Sequence, residues 1–245
     1  MPTWGRDWAN KIYPFGVPGF IARWNATNAT DYRITQLTYP ATTAGYPWEN
    51  YPYDYWNLWV AHTGDRRDRG EMNLDDLVRD FDVIVFKHCF PVSEIVAPHG
   101  EPDVTSSART IDNYKLQYEA LKRRLHQFPE KRFILWTGPV LAPSATDAAQ
   151  AGRAREFFDW VRTTWDEKGD NIFLWDFYSV EADPNGYLTA GQGVAPGNSH
   201  PGSALSRAGA ALIGRRIVDV IEGRGDSAAR TGHAPETGTV RSALR

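Results

Sequence analysis

The sequence predicts an α/β fold built on a parallel sheet. Three short, almost wholly apolar runs lie at 83–86, 133–136 and 172–177. They are rich in β-branched and aromatic residues, as strands buried on both faces usually are. Between them, apolar residues recur every three or four positions, as they do along one side of a helix. This alternation of strand and helix favours parallel strands joined by right-handed crossovers.

The first part of the chain predicts one more strand and two short helices. An amphipathic pattern over 17–27 indicates a helix, and alternating β-prone residues over 33–38, closed by Pro40, indicate a strand. Apolar residues spaced as in a helix follow at 74–81. The predicted sheet therefore has four strands.

The three remaining helices have longer apolar stripes. One stripe covers 111–128, and another covers 154–165 and stops before Gly169. The last helix is predicted over 204–221, with Gly202 or Ser203 as its N-cap. The apolar face predicted for this last helix consists of Leu205, Ala208, Leu212, Ile217, Val220 and Ile221.

Aromatic residues are densest between residues 46 and 59. Pro47 and Pro52 make the start of this segment irregular, and a helical turn can follow them. Two interpretations stay open: a flap packed on the core or against another subunit, and one wall of a substrate cleft.

Length and composition restrict the class of protein. The 245 residues fit a single domain over 1–222, and the Gly-, Ser-, Ala-, Arg- and Thr-rich stretch 223–245 predicts a disordered tail. The net charge of −3, with no basic face, argues against a nucleic-acid partner. The sequence contains no run of about twenty apolar residues, so it predicts no membrane span. Its first residues do not show the pattern of a signal peptide. The single cysteine, Cys89, cannot form an internal disulfide.

Polar side chains follow the ends of the predicted strands. Lys87, His88 and Cys89 follow one strand, Thr137 follows the next, and Asp176 lies in the last. Because parallel strands present their carboxyl ends at one edge of a sheet, these residues are expected to lie near one another.

Asn198 and His200 lie in a Gly- and Pro-rich loop between the last strand and the last helix. The loop is therefore expected at the same edge of the sheet as the strand ends. A histidine there can remove a proton from a hydroxyl nucleophile, although a surface-loop role for His200 stays open.

The residue spacing gives little support to a metal or nucleotide. His88, Cys89, Asp176 and His200 are types that bind zinc, yet no closely spaced ligand pair occurs among them. No phosphate-binding Gly-rich motif precedes a Lys-Ser or Lys-Thr pair. We therefore predict no cofactor and no metal.

Four stretches are similar to one known family. They are the block Phe86-Lys87-His88-Cys89-Phe90-Pro91, the aromatic run 48–59, the segment 158–177 and the short block Asn198-Ser199-His200-Pro201. They resemble a bacterial branch of the SGNH/GDSL-like hydrolases, and the resemblance covers most of residues 3–222. It implies a three-layer α/β/α sandwich with a flavodoxin-like sheet of five parallel strands. It also implies hydrolysis of esters or O-acyl groups, often on carbohydrates.

The chain departs from the family pattern in three places. The family's first strand carries a serine nucleophile at its end, and this chain opens where that strand would end. That strand is therefore expected to be missing, and Thr3, near Gly5, is the hydroxyl closest to the serine position. Asn198 stands where an Asp normally orients the histidine, and Lys87-His88-Cys89 replaces a Gly-x-Asn-Asp block.

The resemblance implies a role for each matching residue. His200 is the expected base, Asn198 its orienting partner and Thr3 the nucleophile. Gly5 and the block Lys87-His88-Cys89 are expected on the substrate or oxyanion side. The expected substrate is a small-molecule or carbohydrate ester, which requires Thr3 and His200 to share one pocket. The alternative is an inactive relative that binds glycans through its aromatic residues or has no activity.

Overall fold

A computed structural model of the chain describes residues 16–40 and 45–225. Its sheet has three parallel strands: β1 (Val83–Lys87), β2 (Arg132–Trp136) and β3 (Ile172–Trp175). Strand β2 lies between the other two. The α/β prediction and these three predicted strands are confirmed.

Seven α-helices accompany the sheet in the described part of the chain. Short π-helical turns continue two of them, at Trp56–Ala61 and Val161–Trp165, and 3-10 turns lie at Asp68–Gly70 and Phe90–Ser93. The helices are α1 (Val17–Asn28), α2 (Pro52–Tyr55), α3 (Leu74–Asp80), α4 (Ile111–Leu125), α5 (Ala148–Trp160), α6 (Tyr178–Glu181) and α7 (Ser203–Ile221).

The two faces of the sheet carry separate apolar clusters. Alternate residues of a strand point to opposite faces. Phe133 and Leu135 of β2 accordingly belong to the larger cluster, together with residues of α3, α4 and α5. Ile134 belongs to the second cluster, which α1 and α7 cover. Helices thus bury both faces, as an all-parallel sheet requires.

The stripes predicted for α4 and α5 match the buried faces of these helices. Tyr114 and Tyr118 of α4 and Phe157 of α5 are almost fully buried. Side chains cap both helices at their N-termini: the Thr110 hydroxyl accepts the Asn113 N–H, and the Asp147 carboxylate accepts the Gln150 N–H.

Helix α7 begins as predicted, with Gly202 as N-cap, but its buried face differs from the prediction. Ala208 and Leu212 point to solvent, and Leu212 is 48% exposed. The buried line passes instead through Gly209 and Ile213. A Cβ on Gly209 would lie only 3.1 Å from the Phe177 ring. Helix α7 therefore turns toward the sheet the face that allows a close approach to the Phe177 ring. The hydrophobicity of its residues alone does not indicate that face.

The strand predicted over 33–38 is wrong, because no described residue there belongs to a strand. The segment is held at its ends by side chains. The Tyr32 hydroxyl donates to Glu222 at 3.1 Å, and the Tyr39 hydroxyl donates to the Met72 carbonyl at 2.7 Å. Tyr32 packs on the cluster of one sheet face and Tyr39 on that of the other. The β-prone residues between these two tyrosines therefore run from one face of the sheet to the other, and no described strand pairs with them.

Strand β3 is shorter than predicted and ends at Trp175. The Phe177 N–H folds back onto the Trp175 carbonyl at 2.9 Å, which begins the turn into α6. Asp176 consequently lies just after the strand and not inside it.

The aromatic segment 46–59 packs mainly into the core. Tyr51, Tyr55 and Trp59 are buried in the larger cluster, and the Tyr55 ring contacts Phe86 at 5.4 Å between centroids. Asp54 stabilises the bend before α2 by accepting the backbone N–H groups of residues 49–51. This arrangement agrees with the packed-flap interpretation of the segment.

Candidate active site

An open cleft lies at the carboxyl edge of the sheet, the edge at which the sequence predicts the site. Its volume is about 510 Å³. Loops that follow β1, β2 and β3 all contribute to it, so residues far apart in the chain meet there. Its lining consists of Phe90, Glu94, Leu141, Ala145, Ala195, Pro196, Gly197, Asn198, Ser199 and His200. We call it the His200 cleft.

His200 and Asn198 form a short hydrogen-bonded unit in this cleft. The Asn198 Oδ1 lies 2.7 Å from the His200 Nδ1 and 2.9 Å from the His200 backbone nitrogen. A backbone N–H only donates, so the Asn198 atom is the amide oxygen and acts as the acceptor. The His200 Nδ1 then carries the imidazole proton, and Nε2 keeps the lone pair that a general base needs.

The surroundings of His200 favour its neutral form. The Phe90 ring contacts the imidazole edge to face, with centroids 4.9 Å apart. Partial burial lowers the pKa of His200. Asn198, which holds the Nδ1 side of the ring, is uncharged and so does not oppose this shift as a carboxylate in its place would. At neutral pH the imidazole is therefore ready to accept a proton.

The loop that carries His200 is closed by backbone hydrogen bonds. The Val194 N–H donates to the His200 carbonyl at 2.8 Å, and the Gly202 N–H donates to the Gln192 carbonyl at 2.7 Å. A Cβ on Gly193 would lie 2.4 Å from the Asn198 carbonyl oxygen, so this narrow loop needs glycine there.

Two hydroxyl groups attach the same loop to the segment after β2. The Ser199 Oγ accepts the Ala142 N–H at 2.8 Å, and the Ser144 hydroxyl donates to the Gly197 carbonyl. These bonds place His200 beside Leu141 and fix one wall of the cleft.

Thr3 and Gly5 lie outside the described residues. The predicted contact between Thr3 and His200 therefore stays a prediction.

Lys87, His88 and Cys89 do not line the His200 cleft. Lys87 is half-buried, donates to the His88 carbonyl at 3.4 Å and lies 5.8 Å from the centre of the Trp136 ring. Its burial lowers its pKa. The Cys89 N–H donates to the Asn50 carbonyl at 2.7 Å and is thus not available to an oxyanion, although Cys89 is a partly exposed residue.

His88 is a core residue. It is 1% exposed, and its Nε2 shares a 2.7 Å hydrogen bond with the Tyr118 hydroxyl. Its Nδ1 is buried without a hydrogen-bond partner. Burial, together with the nearby Lys87 ammonium, lowers the pKa of His88 to about 3. His88 therefore stays neutral and contributes to packing at the end of β1.

Asp176 stabilises the turn after β3 and makes no described bond to His200. Its carboxylate accepts the Thr137 hydroxyl at 3.0 Å and the Ser179 hydroxyl at 2.5 Å. This is the loop-fixing role that is common for an acid at a strand end.

Two acidic residues were missed by the sequence analysis. Glu94 lines the His200 cleft and pairs with Arg109, which also binds Glu49 at 2.9 Å. Glu181 is 1% exposed, and burial raises its pKa to about 8. No local sequence motif predicts a functional position for either residue, because contacts with distant parts of the chain determine where each one lies.

Residues 16–40 and 45–225 contain no group of three or more His, Cys, Asp or Glu side chains placed to hold a metal ion. None of the helices described there has the length and apolar character needed to cross a membrane.

The chain was compared with protein-family models, curated proteins and solved structures, and none of them matches it.

Proposed function

We propose that this protein is a hydrolase of ester bonds that uses His200 as its general base. The hydrogen bond from His200 Nδ1 to Asn198 Oδ1, inside a cleft at the strand ends, is the observation that carries the proposal. The stretches quoted above that resemble SGNH/GDSL-like hydrolases support it. As part of the proposal, the three described strands belong to a flavodoxin-like sheet in a three-layer α/β/α sandwich.

The proposed reaction needs one hydroxyl nucleophile, for which we propose Thr3. His200 Nε2 takes the hydroxyl proton while the oxygen bonds to the ester carbonyl carbon. Backbone N–H donors, including that of Gly5, hold the negative charge on the former carbonyl oxygen. The bond to the alcohol then breaks, and His200 returns the proton to the leaving oxygen. Water repeats the two steps on the acyl-enzyme and releases the acid.

Asn198 makes this site weaker than one with a carboxylate. Its amide oxygen holds the imidazole in the correct tautomer and orientation. It does not offset the positive charge that His200 acquires when it takes the proton. In a serine protease, the exchange of Asp for Asn lowers the rate by on the order of 10⁴, and because that loss comes with the wrong tautomer it is an upper limit for this site. Slow hydrolysis is therefore expected.

The lining of the cleft suits a neutral ester. Phe90, Leu141 and Ala145 offer apolar contact to an acyl group, and Glu94 supplies carboxylate oxygens at the rim. A carboxylate can accept hydrogen bonds from the hydroxyl groups of an alcohol or sugar. A small-molecule or carbohydrate ester is the substrate that we propose.

The alternative, glycan binding without catalysis, has less support in the arrangement of the aromatic residues. Three rings of the run 48–59 are buried, and its half-buried members Trp48, Tyr53 and Trp56 pack on neighbouring rings. Phe90 supplies the aromatic ring that lines the His200 cleft. The described lining of the His200 cleft thus offers one phenyl ring, and not several, for stacking on a sugar.

Hydrolysis of p-nitrophenyl acetate by the wild type, His200→Ala and Thr3→Ala tests the proposal. Both variants are expected to lose at least about 100-fold in rate, the usual contribution of a positioned base or nucleophile. His126→Ala is the matched control, because this histidine pairs with Asp170 near the start of β3, away from the cleft. Equal rates in all four proteins would reject the proposal.

If only His200→Ala loses activity, His200 stays the proposed base and a residue other than Thr3 is the nucleophile. Cys89, Ser93 and Ser199 are the next residues to test. Ser93 is buried and its hydroxyl donates to the Pro139 carbonyl at 2.5 Å. Cys89 is a partly exposed residue, and Cys89→Ala therefore comes first.

A further inference from the structure

Glu94 is the one carboxylate among the described residues that line the His200 cleft. It directly follows a 3-10 turn that begins at Phe90, the residue whose ring contacts His200. The neighbours of Glu94 in sequence, Ser93 and Ile95, are both buried. The backbone at Glu94 is therefore anchored in the core, and one short turn links it to the residue that contacts the imidazole.

Arg109 holds the side chain of Glu94. Its guanidinium bonds to Oε2 of Glu94 and, at 2.9 Å, to the carboxylate of Glu49. The same guanidinium lies over the Tyr51 ring, 5.2 Å from its centre. The Arg109 carbonyl also accepts the Val96 N–H at 2.9 Å, which closes the loop between Glu94 and Arg109. Arg109 is thus fixed by two carboxylates, a ring and a backbone bond.

The second carboxylate oxygen of Glu94 is open to a substrate. Among the described residues, no hydrogen bond reaches Oε1 of Glu94, and the side chain is 41% exposed. A carboxylate oxygen only accepts hydrogen bonds, so its partner must be a donor. Because Arg109 offsets the charge of Glu94, a neutral donor such as a hydroxyl is sufficient and an ammonium is not required.

We infer that Glu94 selects esters whose alcohol part has a free hydroxyl, by accepting a hydrogen bond from that hydroxyl. The inference rests on the proposed function and narrows its substrate to esters of polyols or sugars. The apolar residues of the cleft cannot make this distinction, since they offer a hydroxyl no hydrogen-bond partner. Arg109 is then a positioning residue, which orients the carboxylate of Glu94 without contacting the substrate.

The ratio of kcat/KM for two esters tests this inference. Glycerol monoacetate and propyl acetate share the acyl group and a three-carbon alcohol, but only the first has free hydroxyls. The wild type is expected to prefer glycerol monoacetate by about tenfold or more, as a hydrogen bond to a charged group allows. Glu94→Ala should remove most of this preference, mainly by raising KM for glycerol monoacetate. A purely structural role of Glu94 would change both esters alike and keep the ratio.

Glu49→Ala is the matched control. It removes the same charge and also takes one carboxylate from Arg109, but Glu49 does not line the cleft. It should keep the wild-type ratio. A wild type without preference, or a ratio that Glu94→Ala leaves unchanged, would overturn the inference. So would a larger loss with acetylcholine than with glycerol monoacetate, because Glu94 would then bind an ammonium group.

Binding to His200→Ala separates this inference from the proposed function. Saturation-transfer NMR of glycerol monoacetate measures binding without hydrolysis. Adding Glu94→Ala to His200→Ala should weaken that binding by about tenfold, whereas adding Glu49→Ala should not. Equal binding by the three proteins would overturn the role of Glu94 only. A hydrolysis rate that His200→Ala leaves unchanged would reject the proposed function only, and the ratio of the two esters would then decide the role of Glu94.

Discussion

His88 and His200 lie beyond strand ends of the same sheet, but in opposite surroundings. His88 is enclosed behind β1 with Tyr118, whereas His200 lines an open cleft with Asn198. Burial lowers the pKa of both, to about 3 for His88. The same residue type is thus a packing residue where its ring is surrounded, and a candidate for proton transfer where its ring lines a cleft. Polar groups behind the strand ends should therefore control stability, and those in the cleft should control the reaction.

The largest expected effect concerns Glu181, the buried carboxyl behind the strand ends. Its pKa is about 8 in the folded protein against an ordinary value of 4.5, so the folded state holds its proton more tightly than the unfolded state. The stability that this proton gives is lost as pH rises from 4.5 through 8. The full shift corresponds to roughly 5 kcal/mol of unfolding free energy.

Glu181→Gln should remove that pH dependence while keeping an oxygen that accepts the Val140 N–H. Denaturant unfolding of both proteins across this pH range measures the difference. Parallel curves for wild type and variant would show that Glu181 has the same pKa folded and unfolded.

The next largest effect is expected at His88. His88→Ala leaves a cavity and a buried Tyr118 hydroxyl without its partner, which together cost about 3 kcal/mol of unfolding free energy. His200→Ala removes a partly exposed ring and should cost less than about 1 kcal/mol. Unfolding curves of the two variants at one pH compare them directly. A similar loss of unfolding free energy in both variants would contradict the distinction between His88 as a core residue and His200 as a cleft residue.

Within the cleft, Asn198→Asp should raise the rate of ester hydrolysis by about tenfold or more. A carboxylate would keep the hydrogen bond to Nδ1 and also stabilise the imidazolium that forms during the reaction. Initial rates with p-nitrophenyl acetate measure the gain, and Asn198→Ala, which loses the acceptor, should be slower than wild type. An unchanged rate in both variants would show that Asn198 supports only the loop.

The smallest expected effect is a shift in the pH profile of kcat/KM. Burial lowers the pKa of His200, so the midpoint of the acid limb of the wild-type profile should lie below the ordinary histidine value of 6.5. In Asn198→Asp, the new negative charge favours the imidazolium, and the acid limb should move up by about one pH unit. Ser144→Ala, which changes no charge in a side chain that holds the same loop, is the control and should leave the limb in place.

The local pattern of apolar residues was sufficient to predict those strands and helices whose buried residues are also their most hydrophobic ones. The runs at 83–86 and 133–136 became β1 and β2, and the stripe of α4 matches its buried face. The same approach predicted a strand at 33–38, where tethers at Tyr32 and Tyr39 lead the segment from one face of the sheet to the other. Alternation alone cannot supply the neighbouring strand that makes a segment part of a sheet.

The candidate site shows the same division between local and distant information. Two residues apart in sequence, Asn198 and His200 could be paired from the sequence, because an Asn before a turn readily accepts nearby N–H groups. Glu94 and Arg109 could not, since they lie 15 residues apart in the irregular connection between β1 and α4, where the Val96 N–H donates to the Arg109 carbonyl and closes the loop.

By itself, the sequence determined the strands β1 to β3, the principal helices and the residues at the carboxyl edge of the sheet. These depend on periodicity and on short-range hydrogen bonds, which neighbouring residues encode. Only the tertiary structure decided that His88 is enclosed and that His200 lines a cleft. Burial depends on atoms from distant segments, and those atoms set the surroundings in which a side chain acts.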